Sequence, residues 1–170
     1  MRILFSSLVA AGLLAGNAAS AQQCAKPVEK AAFDVASLKS QLMVTAISCQ
    51  AEEKYNAFIV RFRPDLVVQE RSLNAYFQRS FGRRSTQEHD DYVTNLANSQ
   101  SEVGIKAGTA FCQQNISLFD EVMALKSGTD LAPLAANKSL VQPIALVECT
   151  APAASPTRTA SASGSQSHKH

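Results

Sequence analysis

Apolar side chains between residues 33 and 125 recur every three or four positions, which is the period of an α-helix with one buried face. Only one proline and three glycines interrupt this region, at Pro64, Gly82, Gly104 and Gly108. The pattern therefore predicts an all-α fold, a small bundle of four to five helices.

The first helix is predicted to begin at Asp34, a typical N-cap residue, with Phe33 and Leu38 in the positions of a hydrophobic staple. Its apolar stripe comprises Val35, Leu38, Leu42, Ala46 and Cys49. A second stripe comprises Tyr55, Phe58, Ile59 and Phe62. Because the two stripes would lie on opposite sides of one straight helix, we predict a break between residues 50 and 53. A continuous helix with partners on both faces would explain the same shift.

A proline, a glycine and a capping-box pair predict where the following helices begin and end. Pro64 suits the first turn of a third helix, which Gly82 would end with a left-handed cap. Ser85 and Glu88 have the spacing of a capping box, which predicts the start of the next helix.

The last part of the body is more apolar than the rest. Gly104 and Gly108 either divide the preceding helix or allow a neighbour to approach closely. Residues 111–125 carry apolar side chains over a wide arc, so we expect this helix to be the most buried. Residues 130–148 contain two prolines and many aliphatic side chains, which predicts an apolar C-terminal arm with one short helix, wrapped on the bundle.

The ends of the chain predict export. Arg2, the apolar run 3–15 and the small residues Ala19 and Ala21 match a signal peptide over residues 1–21, cleaved after Ala21. Residues 22–149 then form one disulfide-bonded domain, periplasmic or secreted. Residues 150–170 are rich in alanine, serine, threonine and proline, lack large apolar side chains, and are expected to be disordered.

Four cysteines in an exported chain favour two disulfides. Their wide spacing contains no Cys-x-x-Cys redox unit and no paired zinc ligands. Cys49 and Cys112 lie on the buried stripes of two helices, while Cys24 and Cys149 bracket the domain. We therefore predict the pairs Cys49–Cys112 and Cys24–Cys149. The main alternative joins residue 24 to 112 and 49 to 149.

The charge balance restricts the class of partner. Without Arg2 the formal charge of the chain is +1, which creates no long-range field for nucleic acid or anionic lipid. We expect no nucleic-acid partner. Since no second apolar stretch is long enough to span a bilayer, we also expect no stable membrane insertion after cleavage.

Ionisable residues are densest around the turn that follows residue 81. The candidate interaction patch comprises Arg79, Arg83, Arg84, Glu88, His89 and Asp90. Its arginines could receive a carboxylate or phosphate, whereas the structural interpretation is a solvated ion-pair cluster. His89 and its acidic neighbours suggest a general base or a metal site, but adjacent helical residues diverge by about 100°. We predict no catalytic residue, no metal and no cofactor.

The chain has the features of an exported protein but no recognisable set of catalytic residues. This combination favours a non-catalytic protein that binds another macromolecule, as an envelope accessory factor, an inhibitor or an immunity-like protein. One alternative is a periplasmic carrier that holds a small apolar ligand among its aromatic side chains, Tyr55, Phe58, Phe62, Phe77 and Phe81. The other is an enzyme centred on His89 and the neighbouring acids. His168 and His170 are expected to be solvated.

Overall fold

The computed structural model describes residues 24–149, so the predicted leader and tail lie outside the described residues. Three long helices come first: α1 (Pro27–Cys49), α2 (Glu52–Phe81) and α3 (Ser85–Ala107). Three short helices follow: α4 (Ala110–Asn115), α5 (Ser117–Met123) and α6 (Leu131–Ala136). The predicted all-α fold is confirmed, and only Ile116 separates α4 from α5.

Helix α1 begins at Pro27, so the prediction that Asp34 caps its start is wrong. Proline suits a first turn, where its missing N–H would have no helical partner. The Glu29 carboxylate accepts the backbone N–H of Lys26 at 2.8 Å. Asp34 lies within the helix and pairs with Lys30, one turn earlier, at 2.7 Å. The proline and the glutamate therefore provide an earlier start signal than the aspartate.

The predicted break between α1 and α2 is confirmed. Gln50 has a left-handed backbone with a φ of 55°, and α2 begins at Glu52. Phe33, near the start of α1, lies 5.8 Å from Phe77, near the end of α2, between ring centroids. The two helices therefore pack antiparallel.

The prediction that Pro64 begins a separate helix is wrong, because α2 continues through it. Proline removes the N–H that would bond the carbonyl four residues earlier, here that of Val60. Both residues are exposed, so solvent can hydrogen-bond that carbonyl. Phe62 and Leu66, on either side of the proline, pack against the same core cluster and hold the two halves of α2 in one helix.

The turn between α2 and α3 differs from the predicted capping box. Gly82 follows the last residue of α2 with a φ of 55°, and a 3-10 turn over residues 82–84 leads directly into α3. Ser85 has helical backbone angles, and its N–H already bonds the carbonyl of Gly82. Its side chain therefore forms no cap, and Glu88 pairs instead with Arg84 at 2.8 Å.

The two glycines near the end of α3 have different roles: Gly108 ends the helix, and Gly104 allows a neighbour to approach closely. Gly108 follows the last residue of α3 with a φ of 56° and a ψ of −132°, a conformation that residues with a Cβ rarely adopt. Gly104 permits a close approach, because a Cβ there would lie 3.3 Å from the ring of Phe111.

We expect Gly108→Ala to lower the free energy of unfolding by about 1–3 kcal/mol, because alanine is strained at this positive φ. Thr109→Ala is the control, since the φ of Thr109 is an ordinary helical −64°. Its stability should change by less than about 0.5 kcal/mol. Urea denaturation measures both variants. Equal stabilities would contradict the backbone assigned to Gly108.

Two clusters of buried side chains form the core. The first joins α1 and α2 to the short helices, through Leu38, Leu42, Phe58, Phe119 and Leu131. The second joins the start of α1, the end of α2 and the first half of α3, through Phe33, Leu73, Tyr76, Phe77, Tyr92 and Leu96. In the second cluster the Phe33 ring packs edge-on against Tyr76 and Tyr92, at 4.9 and 5.0 Å between centroids.

The prediction that residues 111–125 form the most buried helix is wrong. This segment is divided at Ile116, and its two helices together bury only Phe111, Leu118, Phe119 and Val122. Helix α1 buries 12 of its 23 residues. The reason is its central position, since α1 packs against α2, α3, α4 and α6.

Residues 137–149, here called the C-terminal strap, return from α6 to the start of α1. The Gln142 side chain donates to the carbonyl of Phe33 at 2.9 Å and accepts from the Tyr92 hydroxyl at 3.0 Å. Near the end of the strap, the N–H of Ala25 donates to the carbonyl of Val147 at 2.7 Å. The strap is therefore held by side-chain and backbone hydrogen bonds.

Two disulfides join the ends of these elements. Cys24 is bonded to Cys149, and Cys49 to Cys112, the same pairs as in the sequence-based prediction. The first fastens the strap beside the start of α1, and the second joins the end of α1 to α4. No cysteine between residues 24 and 149 is free.

Candidate binding groove between helices α1, α2 and α3

An open, mostly apolar groove lies where α1, α2 and α3 meet. An inner cleft of about 130 Å³ and an outer trough of about 400 Å³ share Lys39, Glu70 and Val93 as lining residues, so they form one continuous groove. The remaining apolar lining includes Ala36, Met43, Tyr55, Ile59, Leu66, Val67, Leu73 and Leu96. Each of the three long helices contributes to it.

The rim of the groove exposes apolar side chains. Val67 on α2 is 44% exposed and Val93 on α3 is 42% exposed, and both line the outer trough. Val60, one turn before Arg63 of the same trough, is 69% exposed. Exposed apolar residues that adjoin an apolar groove extend its apolar surface beyond the lining itself.

The polar groups of the groove are mostly hydrogen-bond donors. Lys39 and Arg63 form no ion pair or hydrogen bond with any residue in the described part of the chain. Burial raises the pKa of Tyr55, so its hydroxyl stays protonated and able to donate. Ser40 is only 8% exposed, and its hydroxyl has no hydrogen-bond partner among residues 24–149.

One carboxylate, that of Glu70, also lines the groove. Its Oε1 atom lies 3.1 Å from Nε2 of His89, although the two atoms are not aligned for a hydrogen bond. Nδ1 of His89 lies 3.5 Å from Asp90, and the imidazole packs edge-on against Phe77. Oε1 of Glu70 also accepts from the Asn74 side chain at 3.4 Å, and its negative charge offsets one of the two cations. One positive charge is therefore in excess among Lys39, Arg63 and Glu70.

The structure separates the members of the predicted interaction patch. The Arg79 guanidinium donates to the buried Glu29 carboxylate at 2.5 Å and to the carbonyl of Cys24 at 2.8 Å, so its hydrogen bonds are directed into the fold. Arg84 pairs with Glu88 along α3, and Arg83 is exposed. Of the six residues, His89 lines the groove.

The five aromatic residues proposed to hold an apolar ligand are also separated. Phe58, Phe62 and Phe77 are buried in the two core clusters, and Phe81 packs against the second. Tyr55 is the member of this set that lines the groove. Core packing therefore explains most of the aromatic pattern.

The groove combines an apolar surface with a few polar groups at its edge. The Ser40 hydroxyl and His89 both line it, but the structure shows no hydrogen bond between them. Within residues 24–149 no group of three or more His, Cys, Asp or Glu side chains could hold a metal ion. The arrangement can accept an apolar segment and supply donors to an anionic or carbonyl group at its edge.

Sequence reasoning missed this groove, although one signal for it was present. Ala36, Ser40, Met43 and Ile47 repeat at helical spacing on α1, beside the stripe that forms the core. Val93 lies off the buried stripe of α3, which comprises Tyr92, Leu96 and Gln100. A second, weaker apolar stripe on a central helix is therefore the feature to look for.

Comparison with protein families, curated proteins and solved structures finds no match to this chain. Among the described residues, no helix is both long enough and apolar enough to cross a membrane. The two disulfides are consistent with an oxidising compartment.

Proposed function

We propose that this protein is an exported, non-catalytic helical protein that binds another macromolecule through the groove between α1, α2 and α3. The observation that carries the proposal is the rim, where Val67 and Val93 are exposed next to an apolar groove with unpaired cations. A partner that covers this surface would remove the valines from water, which is the main driving force of association. An envelope accessory factor, an inhibitor or an immunity-like protein would act in this way.

The proposed location is the periplasm or the extracellular space. The match of residues 1–21 to a signal peptide supports it, as do the two disulfides, because disulfides persist in oxidising compartments. We propose no nucleic-acid partner, since the chain carries almost no net charge.

A photocrosslinking amino acid at Val67 or Val93 tests the proposal in the intact envelope. We expect each position to yield the same discrete crosslinked protein. Val28, which is 64% exposed in the first turn of α1, is the matched control and should yield none. With the crosslinker at residue 93, the Val67→Asp substitution should reduce the crosslinked product at least about tenfold, because a charge is costly to bury in an apolar interface.

Two results would contradict the proposal. Identical crosslinks from residues 67 and 28 would show that the groove has no preferred partner. An unchanged yield with Val67→Asp would show that the apolar rim does not contribute to association.

A periplasmic carrier of a small apolar ligand is the second candidate, favoured by the apolar lining of the inner cleft. Native mass spectrometry of protein purified from its own envelope would detect a retained ligand, and a bare protein mass would count against the carrier. The third candidate, an enzyme centred on His89 and its acidic neighbours in the chain, requires that His89→Ala abolish an activity while the fold remains intact.

A further inference from the structure

We infer that the groove binds an acidic amphipathic α-helix of a partner protein, about 18 residues long, whose carboxylates pair with Lys39 and Arg63. This inference rests on the proposed function and specifies the chemistry of the partner. Four features of the groove support it: the nature of its walls, its length, its charge and its rim.

The walls of the groove favour a helix over an extended peptide. The groove lies between three α-helices, whose backbone N–H and C=O groups are paired within each helix, apart from the helix ends and the Val60 carbonyl that Pro64 leaves without a helical donor. An extended peptide would find no sheet edge there to pair with, and its own backbone groups would lose water without replacement. A helix satisfies its own backbone and needs only an apolar surface, as in other helix-in-groove complexes.

The length of the groove fits a helix of moderate size. Tyr55 and Leu73 both line the inner cleft and are 18 residues apart on α2. At 1.5 Å per residue, the lining residues of α1, from Ala36 to Met43, span about 10 Å, and those of α2 span about 27 Å. A partner helix of about 18 residues, with apolar side chains at positions i, i+3, i+4 and i+7, presents an apolar stripe of the same length.

The charges of the groove favour an acidic partner. Lys39 from α1 and Arg63 from α2 line the same outer trough and lack an ion-pair partner among residues 24–149. The carboxylate of Glu70 in the same trough offsets one of these cations, which leaves one positive charge in excess. Glutamate or aspartate side chains beside the apolar stripe of a partner helix would pair with both cations. The Tyr55 hydroxyl adds another donor at one end of the groove.

The rim favours a macromolecule over a small amphiphile such as a fatty acid. The inner cleft, at about 130 Å³, is smaller than the roughly 300 to 1,000 Å³ of usual ligand pockets. The outer trough is large enough, but a ligand lying in it would leave Val60 exposed beyond its edge. A helix about 10 Å wide covers both the trough and its rim.

Binding of two designed peptides to the full exported protein, with both disulfides intact, tests the inference. The probes are fluorescent 18-residue helices with the same leucine stripe, flanked by glutamates in one and by lysines in the other. Fluorescence anisotropy should show that the acidic peptide binds at least about tenfold more tightly in low salt, with a smaller preference in 1 M salt. Lys39→Glu together with Arg63→Glu should reverse the preference.

Arg83→Glu is the control, because Arg83 is an exposed cation like Arg63 but lies in the turn after α2, outside the lining of the groove. The Arg83→Glu variant should bind both peptides with the same affinities as the unsubstituted protein. Lys39→Gln with Arg63→Gln provides a milder pair if charge reversal impairs folding, and should reduce the preference without reversing it. Circular dichroism melts of each variant verify the fold.

Equal binding of both peptides, or binding of neither, would overturn the inference. So would displacement of the acidic peptide by laurate at submicellar concentration, which would identify the groove as a lipid site. The crosslinking from Val67 separates this failure from that of the proposed function. If a discrete protein is crosslinked but the peptides show no charge preference, the groove binds a macromolecule of different chemistry.

Discussion

Replacing Cys24 and Cys149 by serine is expected to lower the free energy of unfolding by about 5 kcal/mol. The two cysteines are 125 residues apart, and in the chain-entropy argument a loop of this length restricts the unfolded chain by about that amount. In the folded state, the strap would lose its covalent attachment beside the start of α1. Hydrogen exchange should therefore increase first in residues 137–149.

Replacing Cys49 and Cys112 by serine is the matched comparison. That disulfide closes a loop of 63 residues, so the expected loss is about 4 kcal/mol, and the strap should keep its protection from exchange. Guanidinium denaturation under non-reducing conditions measures both. A variant without the Cys24–Cys149 bond that exchanged only at the end of α1 would contradict the assigned pairing.

The fold class and most of the core followed from apolar periodicity. Val35, Leu38, Leu42 and Ala46 were assigned to one stripe, and all are buried in the first core cluster. A stripe is predictable because burial of one helix face requires apolar residues at a fixed spacing, whatever the partner. The break near residue 50 followed for the same reason, since the phase of the stripe changes there.

Helix boundaries were less predictable, because several local signals compete at each end. Asp34 and Ser85 have the chemistry of N-caps, yet each lies within a helix in the structure. Pro27 starts α1 earlier, and in the 3-10 turn over residues 82–84 the Ser85 N–H donates to the carbonyl of Gly82 in place of the Glu88 carboxylate of a capping box. Pro64 was tolerated because it faces solvent. A local signal acts only when tertiary contacts leave its hydrogen-bonding groups unpaired.

The groove could not be read from the sequence, because it arises from how three helices diverge. Lys39 and Val93 are 54 residues apart, and nothing in either local sequence indicates that they line one surface. The interaction patch was inferred instead from residues close together in the chain. Arg79, the member nearest the start of that patch, turned out to bind Glu29, 50 residues earlier.

Arg79→Met is expected to lower the free energy of unfolding by about 3–5 kcal/mol, at the lower end because Arg79 is partly exposed. Its guanidinium binds the Glu29 carboxylate, which is almost completely buried, and also the carbonyl of Cys24. Removing the cation leaves a buried charge that, among residues 24–149, keeps only the N–H of Lys26 as a partner. Thermal and urea denaturation at neutral pH measure the loss.

Two comparisons establish that burial causes this effect. Lys54→Met removes the cation from an exposed pair with Asp120 of similar length, 2.9 Å, and should cost less than about 1 kcal/mol. Glu29→Gln combined with Arg79→Met should be less destabilising than the sum of the single changes, because the neutral amide no longer needs a cation yet can still accept the N–H of Lys26. A loss of unfolding free energy from Arg79→Met no larger than that from Lys54→Met would contradict the prediction. In that case the Arg79–Glu29 pair would contribute no more than an exposed ion pair.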